Sequence, residues 1–232
     1  MRRSPRTGFR AVARLLCALP VVVLCCQAAS GAPPTDYVFA VASDYEVSGA
    51  FSTLATLPPW TLDADIGSVH SDAVARLSPY DRFIYVVNRL YADNIQVLDP
   101  ENGFSTVRQF SVGPGSGPED IAFVSATRAY VSRYESTWLY EVDPTTGAVT
   151  DSVDLSVFAD ADGIPEMADL AVVGERLFVA IQRIDRDYYW TPTPPSYIAV
   201  IDVATNALFD VDPGAPGVQG IEDMRAMIHD IR

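Results

Sequence analysis

Residues 85–131 read YVVNRLYADNIQVLDPENGFSTVRQFSVGPGSGPEDIAFVSATRAYV and contain one full period of a repeat. Turn-forming residues separate four short apolar runs, and the first run recurs at the end of the stretch. The runs lie at 85–87, 95–98, 110–112 and 121–123, and the pattern restarts at 129–131. Four short strands in each period predict the blade of a β-propeller.

The same period extends in both directions along the chain. Aromatic residues within matching apolar runs are separated by 46, 45 and 48 positions, and they are Phe39, Tyr85, Tyr130 and Phe178. The repeat units lie near 37–66, 72–113, 119–155 and 167–213. We therefore predict an all-β fold, a β-propeller of four-stranded antiparallel blades that forms an incomplete ring of about four blades within residues 31–216.

Three of the units end their third strand in a similar turn. The turns are LDPENG at 98–103, VDPTTG at 142–147 and IDVATN at 201–206. Asp99, Asp143 and Asp202 can each accept backbone N–H bonds within such a turn. These aspartates are therefore predicted to be structural and not catalytic.

The motifs YVVN, DNIQVLDPENG, FSVGPGSGPEDIAF and AYVS resemble the YVTN repeat of secreted bacterial YncE-like propellers. The resemblance covers residues 36–213. It implies a radial stack of blades that present their second-to-third-strand turns on one face. Ser132 and Ala180 depart from the pattern where Asn88 would recur, and the family closes its ring with about seven blades.

The first 30 residues have the layout of a secretory signal peptide. Five arginines and no acidic residue precede the apolar run at 15–26, and small residues follow it at 28–32. All three cysteines lie here, so cleavage would leave no disulfide. A lipoprotein acylated at Cys25 or Cys26 is the alternative, and either reading predicts a secreted or periplasmic protein without a membrane span in its mature form.

The chain is strongly acidic. It has 30 acidic residues against 16 arginines and no lysine, which gives a formal charge of −14, and removal of the five leader arginines would make it −19. Such a charge disfavours nucleic acid and anionic membrane surfaces as partners. An unknown extracellular or periplasmic protein, peptide or glycan is predicted instead.

The ends of a four-blade arc would expose strand edges and blade faces, which permits self-association. Residues 217–232 carry Ile221, Met224, Ile228 and Ile231 at helical spacing, so we predict a short C-terminal helical tail. A truncated gene product would also explain the low number of blades.

The fourth unit contains an insertion, QRIDRDYYWTPTPPS at 182–196, that is rich in arginine and aromatic residues. Together with the other turns of the same face it predicts a ligand-binding rim. Solvated turns whose arginines pair with neighbouring acids are the alternative. The candidate binding residues are Arg89, Tyr91, Arg133, Tyr134, Arg183, Arg186, Tyr189 and Trp190.

Catalytic chemistry has less support in the sequence. His70 and His229 are the only histidines, and no catalytic residue, metal or cofactor is predicted. Asp160 and Asp162 precede a glycine and form a weak calcium motif. A propeller enzyme of lactonase-like or quinoprotein-like type, with a metal in the central channel, is the alternative function. Its candidate channel ligands are Asp72, Asp120 and Asp169.

Overall fold

The computed structural model describes the strand at 22–25 and residues 36–186 and 190–223. These residues form four antiparallel four-stranded sheets and one two-stranded hairpin. Two short 3₁₀ turns, at Pro100–Asn102 and Ser156–Phe158, are the helical elements of this part of the chain. The prediction of an all-β propeller is confirmed.

Each sheet is one blade, and its strands follow one another in chain order from the inner to the outer position. Blade 1 contains β1 (Val22–Cys25), β2 (Tyr37–Ser43), β3 (Gly49–Ala55) and β4 (Leu62–Val69). Blade 2 contains β5 (Ala73–Leu77), β6 (Ile84–Asn88), β7 (Asn94–Asp99) and β8 (Ser105–Ser111).

Blade 3 contains β9 (Pro118–Ser125), β10 (Arg128–Arg133), β11 (Trp138–Asp143) and β12 (Ala148–Asp154). Blade 4 contains β13 (Met167–Val173), β14 (Arg176–Ile181), β17 (Ser196–Asp202) and β18 (Ile221–Asp223). The hairpin of β15 (Ile184–Asp185) and β16 (Thr191–Pro192) lies in the insertion between β14 and β17.

The hydrophobic core consists of three clusters, one between each pair of consecutive blades. Phe39 and Phe51 pack against blade 2, Tyr85 packs against Phe123 of blade 3, and Tyr130 packs against blade 4. Both faces of the middle blades are therefore buried, which explains why strands such as β6 are apolar at nearly every position. Among the described residues no core cluster joins blade 4 to blade 1.

The three turn aspartates accept backbone N–H bonds within their turns, as predicted. Asp99 Oδ1 accepts the N–H of Glu101 at 3.0 Å, and Asp143 Oδ1 accepts the N–H of Thr145 at 2.8 Å. Asp202 Oδ1 accepts the N–H of Ala204 at 3.0 Å. Each carboxylate thus satisfies a backbone donor that the tight turn leaves without a partner in the sheet.

The end of the chain differs from the prediction. Residues 217–220 are not helical and residues 221–223 form the outer strand of blade 4, although both fall within the predicted helical tail at 217–232. Residues 224–232 lie outside the described part. Residues 207–209, which lie within the predicted fourth unit, make an isolated bridge between Ile201 and Leu208 and form no strand of the blade. The helical spacing of the apolar residues predicted a helix because it reflects only local sequence. In the structure, the open backbone edge of β17 pairs with β18 instead.

The first blade also extends beyond its predicted start. Residues 22–25 form β1 and pair with residues 38–41 of β2, so they lie within the segment that we expect to act as a signal peptide. The sequence placed the first strand of this unit at 37–41, which is the second strand of blade 1 in the structure. The signal peptide itself stays a prediction.

Gly147 closes the β11–β12 turn and offers a test of the packing between blades 2 and 3. Its φ is +79°, and a Cβ atom there would lie 2.5 Å from Cβ and Cγ of Phe110. We expect Gly147→Ala to lower the free energy of unfolding by about 2–4 kcal/mol, because left-handed strain adds to overpacking. Urea unfolding followed by circular dichroism measures the loss.

Gly103 provides the matched control for this substitution. It closes the equivalent turn of blade 2 with a φ of +59°, and a Cβ atom there would meet nothing within 4 Å. Gly103→Ala should therefore lower the free energy of unfolding by only about 1 kcal/mol, from backbone strain alone. Equal losses for the two variants would show that contact with Phe110 is not the cause.

Candidate functional site

One face of the blades carries the candidate binding residues. It is built from the turns between the second and third strands, at 44–48, 89–93, 134–137 and 182–195, and we call it the rim. Antiparallel strands that run in the same order in every blade place these turns on one side of the arc. Tyr189 falls outside the described residues.

Arg89 is fully engaged by carboxylates of two blades. Its Nε and Nη2 donate to Asp72 Oδ1 at 2.9 and 2.6 Å, and its Nη1 donates to Glu119 Oε2 at 2.5 Å. Asp72 precedes β5 and Glu119 lies at the start of β9. The guanidinium therefore links blade 2 to blade 3 instead of pointing freely at solvent.

Arg186 makes the corresponding link between blades 3 and 4. Its Nε donates to Glu166 Oε1 at 2.9 Å, its Nη1 donates to Glu135, and its Nη2 donates to the carbonyl of Tyr134 at 3.2 Å. The guanidinium also lies 5.3 Å from the ring of Tyr134 and 5.4 Å from the ring of Trp190. These contacts fix one arginine between two aromatic rings.

Arg133 and Arg183 lie against tyrosine rings. The Arg133 guanidinium is 3.8 Å from the ring centre of Tyr140, and its Nη1 donates to Ser136 Oγ at 3.1 Å. The Arg183 guanidinium is 5.4 Å from the ring of Tyr197, and its Nη1 donates to the carbonyl of Pro195 at 2.9 Å. The Nε atoms of both arginines are buried without a hydrogen-bond partner.

The described part of the rim exposes three aromatic residues. Tyr91 is 87% exposed and Trp190 is 57% exposed, and Tyr45 on blade 1 is also exposed. All three residues have positive φ angles, between 57° and 65°. The structure brings together Tyr134, Arg186 and Trp190, while Arg89 belongs to a separate contact with Asp72 and Glu119.

Two carboxyls that contact rim arginines have strongly raised pKa values. Burial raises the pKa of Glu119 to about 7, although Arg89 opposes the shift. Burial likewise raises the pKa of Glu166 to about 7, opposed by the N–H of Ile184 and by Arg186. Neither glutamate stands out in the sequence, because only the fold shows that the two residues are removed from water.

A second cluster lies on the inner strands, below the rim. Arg76 Nε donates to Asp120 Oδ1 at 2.6 Å, and Arg76 Nη2 lies 3.5 Å from Asp169 Oδ1. Asp120 Oδ2 accepts the N–H of Leu170 at 2.9 Å. Asp120 thus connects blades 2, 3 and 4. The cluster lines a groove of about 290 Å³ whose other walls are mainly apolar.

The channel aspartates therefore do not converge as a set of metal ligands. Asp120 and Asp169 share the guanidinium of Arg76, whereas Asp72 pairs with Arg89. A cation would have to compete with these arginines for the carboxylates. Across 36–186 and 190–223, no group of three or more His, Cys, Asp and Glu side chains could hold a metal ion.

The calcium motif lies beside the rim. Asp160 Oδ1 accepts the N–H of Asp162 at 3.2 Å, and Asp162 Oδ1 accepts the N–H of Ile164 at 2.9 Å. Asp162 Oδ2 also lies 3.8 Å from Arg186 Nε. The two aspartates order a turn and support Arg186.

Comparison with solved structures supports the fold alone. Hydrazine synthase of Kuenenia stuttgartiensis matches with a TM-score of 0.55 and 16% identity over 75% of this chain and 45% of the other. The chain is an all-β propeller. A putative 6-phosphogluconolactonase of Bacteroides fragilis has a TM-score of 0.49 and 15% identity, covering 80% of this chain and 55% of the other. A periplasmic gluconolactonase of Pseudomonas aeruginosa has a TM-score of 0.48 and 14% identity, covering 83% and 68%.

This propeller spans about half the length of the first two of these structures. No protein-family model matches the sequence, and no curated protein matches it. The part of the chain that the structure describes contains no helix long and apolar enough to cross a membrane.

Proposed function

We propose that this propeller is a secreted or periplasmic binding module whose rim recognises a basic peptide segment of another protein. The observation that carries the proposal is the arrangement of Arg186, which Glu135 and Glu166 hold between the rings of Tyr134 and Trp190. The signal-peptide-like leader supports the secreted or periplasmic location, with a lipoprotein as the alternative form. The YVTN-like motifs at 85–131 support the class of propeller.

The engaged arginines argue against an anionic ligand. Arg89 and Arg186 already contact two carboxylates each, so capturing a carboxylate or phosphate would require breaking short ion pairs. Tyr91 and Trp190, in contrast, are exposed on the rim. Aromatic rings held in place provide large contact areas at a low entropic cost, as in many protein interfaces.

The charge of the chain favours a basic partner. A formal charge of −14 attracts cations over long distances and speeds their association at low salt. Arginine or lysine side chains of a peptide can also lie over the faces of tyrosine and tryptophan rings. A neutral glycan could use the rings but would gain nothing from the charge.

Trp190→Ala tests the proposal. The probe is an array of immobilised peptides rich in arginine and lysine, with acidic and neutral peptides and neutral oligosaccharides on the same surface. We expect the parent protein to bind basic peptides, and Trp190→Ala to bind them at least about tenfold more weakly, because it removes a central aromatic contact.

Val149→Ala is the control, since Val149 is exposed on the outer strand β12, away from the rim. It should bind like the parent. If binding depends on Trp190 but is specific for the oligosaccharides, the ligand of the rim is a glycan and not a basic peptide. Binding that is unchanged in Trp190→Ala would refute the rim as the site.

The alternative is an enzyme, and one observation favours it. Glu119 and Glu166 have pKa values near 7, the range suited to general acid–base catalysis. A panel of lactones and esters tests this function. Turnover that is lost in Glu166→Gln, while the variant melts like the parent, would establish hydrolysis; absence of turnover across the panel leaves the binding module as the better account.

A further inference from the structure

The second strand of every blade carries the same three-residue pattern, with an aromatic residue at its centre. The four triplets are Val38-Phe39-Ala40, Ile84-Tyr85-Val86, Ala129-Tyr130-Val131 and Leu177-Phe178-Val179. Successive side chains of a strand point to opposite faces of the sheet. Each blade therefore has an aromatic face, with the central residue, and a flanking face, with the two aliphatic residues.

The three core clusters show how these faces meet. Phe39 lies in one cluster with Ile84 and Val86, and Tyr85 lies in the next with Ala129 and Val131. Tyr130 lies in the third with Leu177 and Val179. The aromatic face of each blade packs on the flanking face of the next blade along the chain.

Exposure follows this order of packing. Nine of the twelve triplet residues take part in these contacts, and each of them is at most 1% exposed. They are Phe39, Ile84, Tyr85, Val86, Ala129, Tyr130, Val131, Leu177 and Val179. The other three, Val38, Ala40 and Phe178, are partly exposed. Val38 and Ala40 form the flanking face of blade 1, and Phe178 lies on the aromatic face of blade 4, so the uncovered residues mark the two ends of the arc.

These two end faces are of complementary types, as in the internal contacts. The blade 1 face carries the small residues Ala40, Ala42 and Ala50, and Leu54 is exposed opposite Val38 on the same face. The blade 4 face presents Phe178 beside Ala171, its partner in the register of β13 and β14. No core cluster of the described residues contains members of both blades, so within 36–186 and 190–223 the two end faces do not pack on each other.

We infer that two copies of this chain associate head to tail. The aromatic face of blade 4 of each copy packs on the flanking face of blade 1 of the other copy. A second copy of the chain is the partner that the repeat favours. It provides a flanking face for the aromatic face of blade 4 and an aromatic face for the flanking face of blade 1. Two such contacts related by a twofold axis close a ring of eight blades, which is within the range that propellers adopt.

Sedimentation velocity of the full-length chain tests the inference. We expect twice the monomer mass at micromolar concentration, with the dimer fraction rising as salt screens the repulsion between two acidic chains. Phe178→Asp and Ala40→Arg should each sediment as monomers. Val149→Asp, on an exposed position of β12, is the matched control and should remain a dimer.

Mixing the two monomeric variants provides the decisive measurement. A mixed dimer of Phe178→Asp with Ala40→Arg has one native contact and one contact in which aspartate faces arginine, so the dimer should return. Thermal melting by circular dichroism checks that each variant is folded. A monomeric parent protein, or a mixture of folded variants that stays monomeric, would overturn the inference and show that something else covers the end faces.

Discussion

Asp120→Ala is expected to reduce the free energy of unfolding by about 3–4 kcal/mol, a loss typical of a buried ion pair from which one partner is removed. The Asp120 side chain is 2% exposed and that of Arg76 is 16% exposed. The substitution leaves the Arg76 guanidinium with Asp169 at 3.5 Å and removes the acceptor of the Leu170 N–H. Because these groups belong to three blades, the loss weakens the packing of all three.

Urea unfolding measured by circular dichroism and by tryptophan fluorescence tests this expectation. Asp63→Ala, at an exposed position of β4, is the control and should change stability by less than about 0.5 kcal/mol. Replacing both partners, in Arg76→Met with Asp120→Leu, should recover most of the stability because neither charge of the buried Arg76–Asp120 pair is left without its partner. A loss below about 1 kcal/mol for Asp120→Ala would mean that the three blades do not depend on this carboxylate.

Stability should also fall as the pH rises from about 5 to 8. In the folded protein the pKa values of Glu119 and Glu166 are about 7, above the ordinary value of 4.5. A raised pKa in the folded state stabilises the protein below the unfolded pKa, and this contribution is lost as the pH rises through the folded pKa. We expect the free energy of unfolding to fall by about 2–4 kcal/mol in total. This is less than the two pKa shifts would give if taken in full, since both carboxyls have arginine partners.

Thermal melting between pH 5 and 8 measures this dependence, with a Tm several degrees lower at pH 8. Glu119→Gln and Glu166→Gln should each flatten the profile, and the double variant should flatten it most. Glu101→Gln controls for the net charge, because it removes one negative charge at a side chain that is 74% exposed. A double variant with the same slope as the parent would exclude these two carboxyls as the cause.

The binding rim was only partly predictable from the sequence. Composition pointed to the arginines and aromatic residues of the turns, and the structure places Tyr134, Arg186 and Trp190 together. Composition could not indicate that Glu119 holds Arg89 and that Glu166 holds Arg186, because Glu119 lies at the start of blade 3 and Glu166 precedes Arg186 by 20 residues. Such pairings depend on contacts between residues distant in the chain.

The sequence by itself determined the repeat, its period and its turns. The aromatic residues at intervals of 45 to 48 and the turn aspartates act through local chemistry, since strand alternation and turn hydrogen bonds involve neighbours in the chain. Only the tertiary structure shows that β18 completes blade 4, that Arg76 pairs with Asp120, and that Phe178 stays partly exposed. These outcomes depend on which sheet edges and blade faces find partners, and local sequence does not encode that choice.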